Sequence, residues 1–154
     1  METSVQVRRA VTADVALLLP LCAEHAAFER LAPSSEGGVE ELVRALGAAS
    51  TLYAWIAMAG DTAVGYSSAT LDFSTLDRAT YLHMDCLFVR DGWRNHGVGR
   101  LLWNAVHAFA GERGCRNVQW QTPEWNADAT RFYRRLGALE TIKRRYVLPL
   151  RSTV

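Results

Sequence analysis

Arg94-Asn95-His96-Gly97-Val98-Gly99-Arg100 combines what a phosphate group needs, a turn with two glycines set between arginines. Gly97 and Gly99 lack a Cβ, so the chain can bend sharply there and an anion can approach the unpaired N–H groups of a following helix. The helix dipole adds to that attraction. A Walker loop fits poorly, because Arg100-Leu101 stands where Lys and then Ser or Thr are required. A Rossmann fingerprint fits no better, since its third glycine would fall on Leu102. A phosphate turn of another kind and a plain strand-to-helix turn remain open.

Other reactive side chains are scattered. His83 and His96 suggest a base or a ligand, but no His/Asp/Glu cluster stands at metal-ligand spacing, so no metal is expected. Cys22, Cys86 and Cys115 are odd in number and form no CxxC pair, which points to reduced thiols. Cys86 is one conceivable acyl-carrying nucleophile.

The glycine turn needs elements to hold it. Tyr81 to Val89 has the composition and length of a buried strand. After the turn, Val98, Leu101, Leu102, Ala105, Val106, Phe109 and Ala110 share one face of a helix. Upstream, Val5 to Ala10 reads as a strand, and Thr12 can cap a helix reaching Arg30 with Val15, Leu18, Leu19 and Cys22 inward. Pro20 should kink that helix or end its first section. Pro33 to Gly38 reads as a loop, and Val39 to Leu46 as a second short helix ending near Gly47. Leu52 to Met58 and Thr62 to Leu71 form a hairpin about Ala59-Gly60-Asp61. Asn117 to Thr122 reads as a strand, a helix follows Asn126, and Ile142 to Leu150 reads as a closing strand. The fold class is α/β, a mixed sheet with helices on both faces.

At 154 residues and 49% hydrophobic, residues 1–154 suit a single domain that buries roughly two-thirds of its extended surface. The net charge of +1 hides a division: residues 1–77 hold four basic side chains against ten acids, and 78–154 hold thirteen against six. Such a division arises from segregated solvated faces, or from a basic half facing an anionic cofactor and an acidic half facing a cationic acceptor. Nucleic acid is not expected as a partner at this charge. With no basic start followed by a long apolar run, a cytoplasmic, non-membrane protein is expected.

Arg94-x-x-Gly97-x-Gly99 resembles the Gln/Arg-x-x-Gly-x-Gly/Ala pyrophosphate loop of the GNAT acyltransferases. Farther along, Trp125-Asn126-Ala127-Asp128-Ala129-Thr130-Arg131-Phe132-Tyr133-Arg134-Arg135-Leu136-Gly137-Ala138 resembles the second half of that family's CoA site. Two motifs in the right order and distance are far more specific than one. Within the superfamily the wording is most similar to the diamine (spermidine/spermine-type) N-acetyltransferases, as is Val7 to Asp14 before the first helix.

The resemblance implies acetyl-CoA as cosubstrate and a central parallel strand pair, residues 81–89 and 117–122, splayed to admit it. Backbone groups around Leu87, Phe88 and Val89 would hold the pantetheine arm. Arg94, Asn95, His96, Gly97, Val98, Gly99 and Arg100 would form the pyrophosphate turn, and Asn126 and Ala129 would line the cofactor's other side. Tyr133 falls where a phenol protonates the departing thiolate. Asp85 falls where those enzymes carry a Glu that deprotonates the amine through water, and Cys86 replaces the Asp that follows it. Phe28 and Glu29 match a substrate contact near the end of the first helix. The expected function is direct acetyl transfer to a primary amine of a small cationic molecule (a polyamine, a basic amino-acid analogue or an amine-bearing antibiotic), carried out by a homodimer. Peptide or protein acetylation and a non-catalytic CoA-binding sensor are the alternatives.

Overall fold

The computed structural model describes residues 3–32, 38–48 and 51–150. Two compact units divide the chain, Met1–Gln121 and Thr122–Val154.

The first unit holds β1 (Val5–Arg9), α1 (Val15–Phe28), α2 (Gly38–Ala45), β2 (Leu52–Ala59), β3 (Thr62–Ser74), β4 (Ala79–Val89), α3 (Val98–Glu112) and β5 (Val118–Gln119). The strands lie in the order β1-β2-β3-β4-β5, antiparallel except for the parallel β4–β5 pair. Side chains alternate between the faces of a sheet, and the alternation distributes the helices. Leu18 and Leu21 of α1 pack with Ala54, Ile56, Tyr66 and Phe88 on one face, joined by Leu42 and Leu46 from α2 and the turn that follows it. On the other face Phe109 of α3 meets Tyr53 at 4.6 Å and Trp55 at 5.3 Å. Gly65 permits this approach: a Cβ there would sit 2.7 Å from the Phe88 carbonyl oxygen and 3.2 Å from Leu102 Cδ1.

Several expectations need correction. Thr12 does not cap α1. A 3-10 turn, Thr12–Asp14, precedes the helix, and the Asp14 carboxylate accepts from the Val11 N–H at 2.8 Å and from both Arg8 Nη atoms at 2.8 Å. Pro20 does not end α1, because the missing donor only strips the carbonyl of Ala16, and both residues lie on the exposed side, where water can satisfy it. The buried stripe of α1 is Val15, Leu18, Leu21 and His25. The loop expected from Pro33 falls, over 33–37, outside the described residues. The strand expected over 117–122 pairs only at Val118–Gln119, since β4 offers it a ladder only at Leu82 and His83.

The second unit contains α4 (Ala127–Arg135). Asn126 caps it, its Oδ1 accepting from the Ala129 N–H at 3.2 Å, and Gly137, at φ +87°, ends it. No α4 residue is buried, so Phe132 and Leu136 are half-exposed rather than core residues. The closing strand expected over 142–150 is not formed: those residues pair with no strand among the described residues. A strand exists only where a neighbour completes its ladder.

Candidate active site

β4 is irregular where the chemistry was expected. Its register with β3 runs from Ala69↔Met84 to Ser68↔Cys86, so Asp85 is the extra residue of a β-bulge. Before the bulge, Leu82 N–H donates to Asn117 O at 3.0 Å, which turns the even-numbered backbone toward β5. After it, Arg90 N–H donates to Val64 O at 2.8 Å, and Val89 O accepts from Arg94 Nε at 2.9 Å. Backbone polar groups alternate along a strand, so Phe88 and Arg90 face β3 while Leu87 and Val89 face the opposite edge. Among the described residues no strand pairs with that edge beyond His83. The Phe88 ring is buried in the core, so its part is packing.

The chain then turns into α3. Asn95 has φ +63° and Gly97 φ +81°, at the helix cap, with open space where a Cβ would project. No side chain caps the helix there, and Val98, Gly99 and Arg100 present its first-turn N–H groups. Val98 is buried and anchors the turn; Asn95, His96 and Arg100 are exposed. Backbone donors without a side-chain acceptor are what a pyrophosphate requires, so the residues present fit one. The Arg94 guanidinium lies 4.5 Å from the Phe28 ring centroid and 5.6 Å from that of Phe88, and its Nε donates to Val89 O. Arg90 braces the same corner, bidentate on Glu24 and bonded to Ala63 O at 3.0 Å.

The end of α1 thus comes against the end of β4. Phe28 meets Phe88 at 6.2 Å, and Glu29 Oε1 lies 3.2 Å from His25 Nε2. Asp85 is exposed and accepts from the Cys86 thiol at 3.6 Å. Burial, reinforced by the Asp85 charge, pushes that thiol up to about 12. Almost none of it is thiolate at neutral pH, which removes Cys86 as a nucleophile. In the second unit, Tyr133 stands on α4 beside Phe132, ring centroids 5.5 Å apart. The described residues include no group of three or more His, Cys, Asp or Glu placed to hold a metal ion.

Residues 21–138 match the model of the acetyltransferase (GNAT) family. The chain belongs to that family. A thialysine N-epsilon-acetyltransferase of Caenorhabditis elegans is 29% identical over 116 residues, 75% of this chain and 71% of that one. An aminoglycoside acetyltransferase from an uncultured soil metagenomic sample, solved with trehalose, shares the fold at TM-score 0.82 and 21% identity, over 94% of this chain and 96% of that one. An aminoglycoside N-acetyltransferase solved in complex with CoA shares it at TM-score 0.79 and 20% identity, over 97% of each.

As a GNAT acetyltransferase the chain has its uncapped helix turn and its unpaired strand edge next to each other in sequence and in the sheet. The sequence reading missed His25, Tyr66, Glu24 and Arg90. His25 left a signal, standing seven residues after Leu18 and four after Leu21 on the apolar stripe of α1. Tyr66 left none, because an aromatic residue in a strand reads as core.

Proposed function

We propose that this enzyme transfers the acetyl group of acetyl-CoA directly to a primary amine of a small cationic molecule, in the class of basic amino-acid analogues, polyamines or aminoglycosides. The observation that carries the reading is the uncapped first turn of α3 following an open β4 edge. The family supplies the chemistry, and its thialysine- and aminoglycoside-acetylating relatives suggest the amine class. Val98, Gly99 and Arg100 would bind the pyrophosphate through backbone N–H groups, with Asn95, His96 and Gly97 shaping the turn and Arg94 bracing it. Leu87 and Val89 would hold the pantetheine arm and polarise the thioester carbonyl, Phe88 packing beneath them. Asn126 and Ala129 would line the cofactor's other side.

An alkylammonium must lose a proton before it can attack, its ordinary pKa being near 10.4. Asp85, exposed on the bulge, would accept that proton directly or through water, and Tyr133 would give one to the thiolate. Phe28 and Glu29 would contact the acceptor. The chain would work as one acetyltransferase domain, in the cytoplasm, as a homodimer.

The test has two arms. CoA at a hundredfold excess over its dissociation constant should stabilise the fold by about 2.7 kcal/mol, and Gly99→Asp should abolish the shift by setting a side chain and a charge against the pyrophosphate. Thiol release from acetyl-CoA is then followed across diamines, thialysine and aminoglycosides. CoA binding without turnover on any of them, or on basic peptides, would mark a sensor. Turnover on peptides alone would move the assignment to peptide acetylation.

A further inference from the structure

His25 is a buried titratable side chain, 8% exposed, that the reaction above does not use. Its ring stacks on Phe88 at 5.0 Å and meets Tyr66 edge-on at 5.8 Å. Nδ1 lies 2.8 Å from the Tyr66 hydroxyl, and Nε2 lies 3.2 Å from Glu29 Oε1. The Tyr66 hydroxyl also interacts with the thiols of Cys22 and Cys86, and the Cys86 thiol donates to Asp85. A run of polar contacts therefore extends from Glu29 on α1 toward Asp85 on the β4 bulge, hydrogen-bonded from Glu29 through His25 to Tyr66.

The direction of that run follows from its members. Burial keeps the Tyr66 phenol protonated, so its O–H needs an acceptor, and the nitrogen opposite is His25 Nδ1. Nε2 then carries the proton and donates to Glu29. The single Cys86 S–H is donated to Asp85, so the thiol proton left for the Tyr66 oxygen is that of Cys22. In the neutral imidazole a proton on Nδ1 instead would leave Nε2 facing the Glu29 carboxylate, acceptor against acceptor. The carbonyl end of α1 adds negative potential where Glu29 stands. We infer that His25 and Tyr66 are positioning residues, a buried pair that fixes the Glu29 carboxylate at the end of α1 as the seat for an acceptor's ammonium group. The inference rests on the amine-acetylating reading.

Tyr66→Phe keeps the ring in the core and removes only the hydroxyl, freeing His25 and with it Glu29. In the intact enzyme the variant should raise KM for the best cationic amine about tenfold, change kcat less than twofold and leave KM for acetyl-CoA unchanged. Glu29→Gln should raise the same KM by a similar factor, and the double variant should add nothing further, because both remove one contact. A Tyr66→Phe effect that persists in full on the Glu29→Gln background would mean a packing role and overturn the inference. A second readout needs no turnover: long-range ¹H–¹⁵N spectra of the His25 imidazole should show the proton on Nε2 in the wild type. A proton on Nδ1 would overturn the inference even if the enzyme acetylates amines. If no amine is acetylated, the tautomer still reports on these contacts while the functional reading fails alone.

Discussion

Asp85 and Cys86 are neighbours in sequence, yet the bulge gives them opposite fates. Asp85 projects into solvent, and Cys86 turns inward, where burial holds its proton. Of the two, only the carboxylate can take a proton from an ammonium group. Asp85→Asn should therefore depress the rate most at neutral pH and less as rising pH supplies free amine, which a pH profile of kcat/KM would reveal. Tyr133→Phe removes a phenol and leaves the ring. CoA affinity should hold while kcat falls about a hundredfold or more, the usual scale of general acid catalysis. A kcat near wild type, with thiol release confirmed as the slow step, would make that phenol structural. At this scale residue types were legible and their partners were not. Arg94 reads from sequence as part of the pyrophosphate turn, and the sequence carries no sign that it also covers Phe28 and ties down Val89.

Elements were legible where period and punctuation agreed. The strand–glycine–helix unit from β4 to α3 stands as read, because an apolar run of strand length, two glycines and a helical stripe all marked the same turn. The bulge was not legible. Leu82, Met84, Cys86 and Phe88 look like one continuous face, and the extra residue sends Leu82 and Met84 to one side of the sheet and Cys86 and Phe88 to the other. The start of α1 was misread for a similar reason: Thr12 has the type of a cap, but the carboxylate two residues later reaches back to the Val11 N–H and is held there by Arg8. Arg8 keeps the Asp14 carboxyl below the usual carboxylate range. Its folded pKa is depressed, so its contribution to stability is fully present above the unfolded value near 3.9 and is lost as pH falls through the folded one. Asp14→Ala should cost about 2 kcal/mol at pH 7, lowering Tm by roughly 4–8 °C, with the deficit shrinking in melts below about pH 4. Thr12→Ala, at an exposed position, should stay within about 0.5 kcal/mol.

At the scale of the whole molecule, residues 142–150 have the sequence of a strand without its ladder. Ile142, Tyr146, Leu148 and Leu150 fall on even positions, which an extended chain places on one face with Arg144 among them, and all four are exposed, Leu150 at 98%. An unpaired segment of this composition would associate without selectivity if nothing covered it. A second copy of the same segment would supply both the missing hydrogen bonds and apolar side chains to match. Lys143, Arg144 and Arg145 repel each other in a stack of many chains, which favours a closed pair over a fibre. The chain should therefore have a dimer's mass by light scattering at micromolar concentration. Leu148→Asp should shift it to the monomer, because the charge would lose its water on pairing while leaving the core of the first unit untouched. A monomeric wild type at that concentration would refute the homodimer, and a Leu148→Asp variant that stays dimeric would place the interface elsewhere.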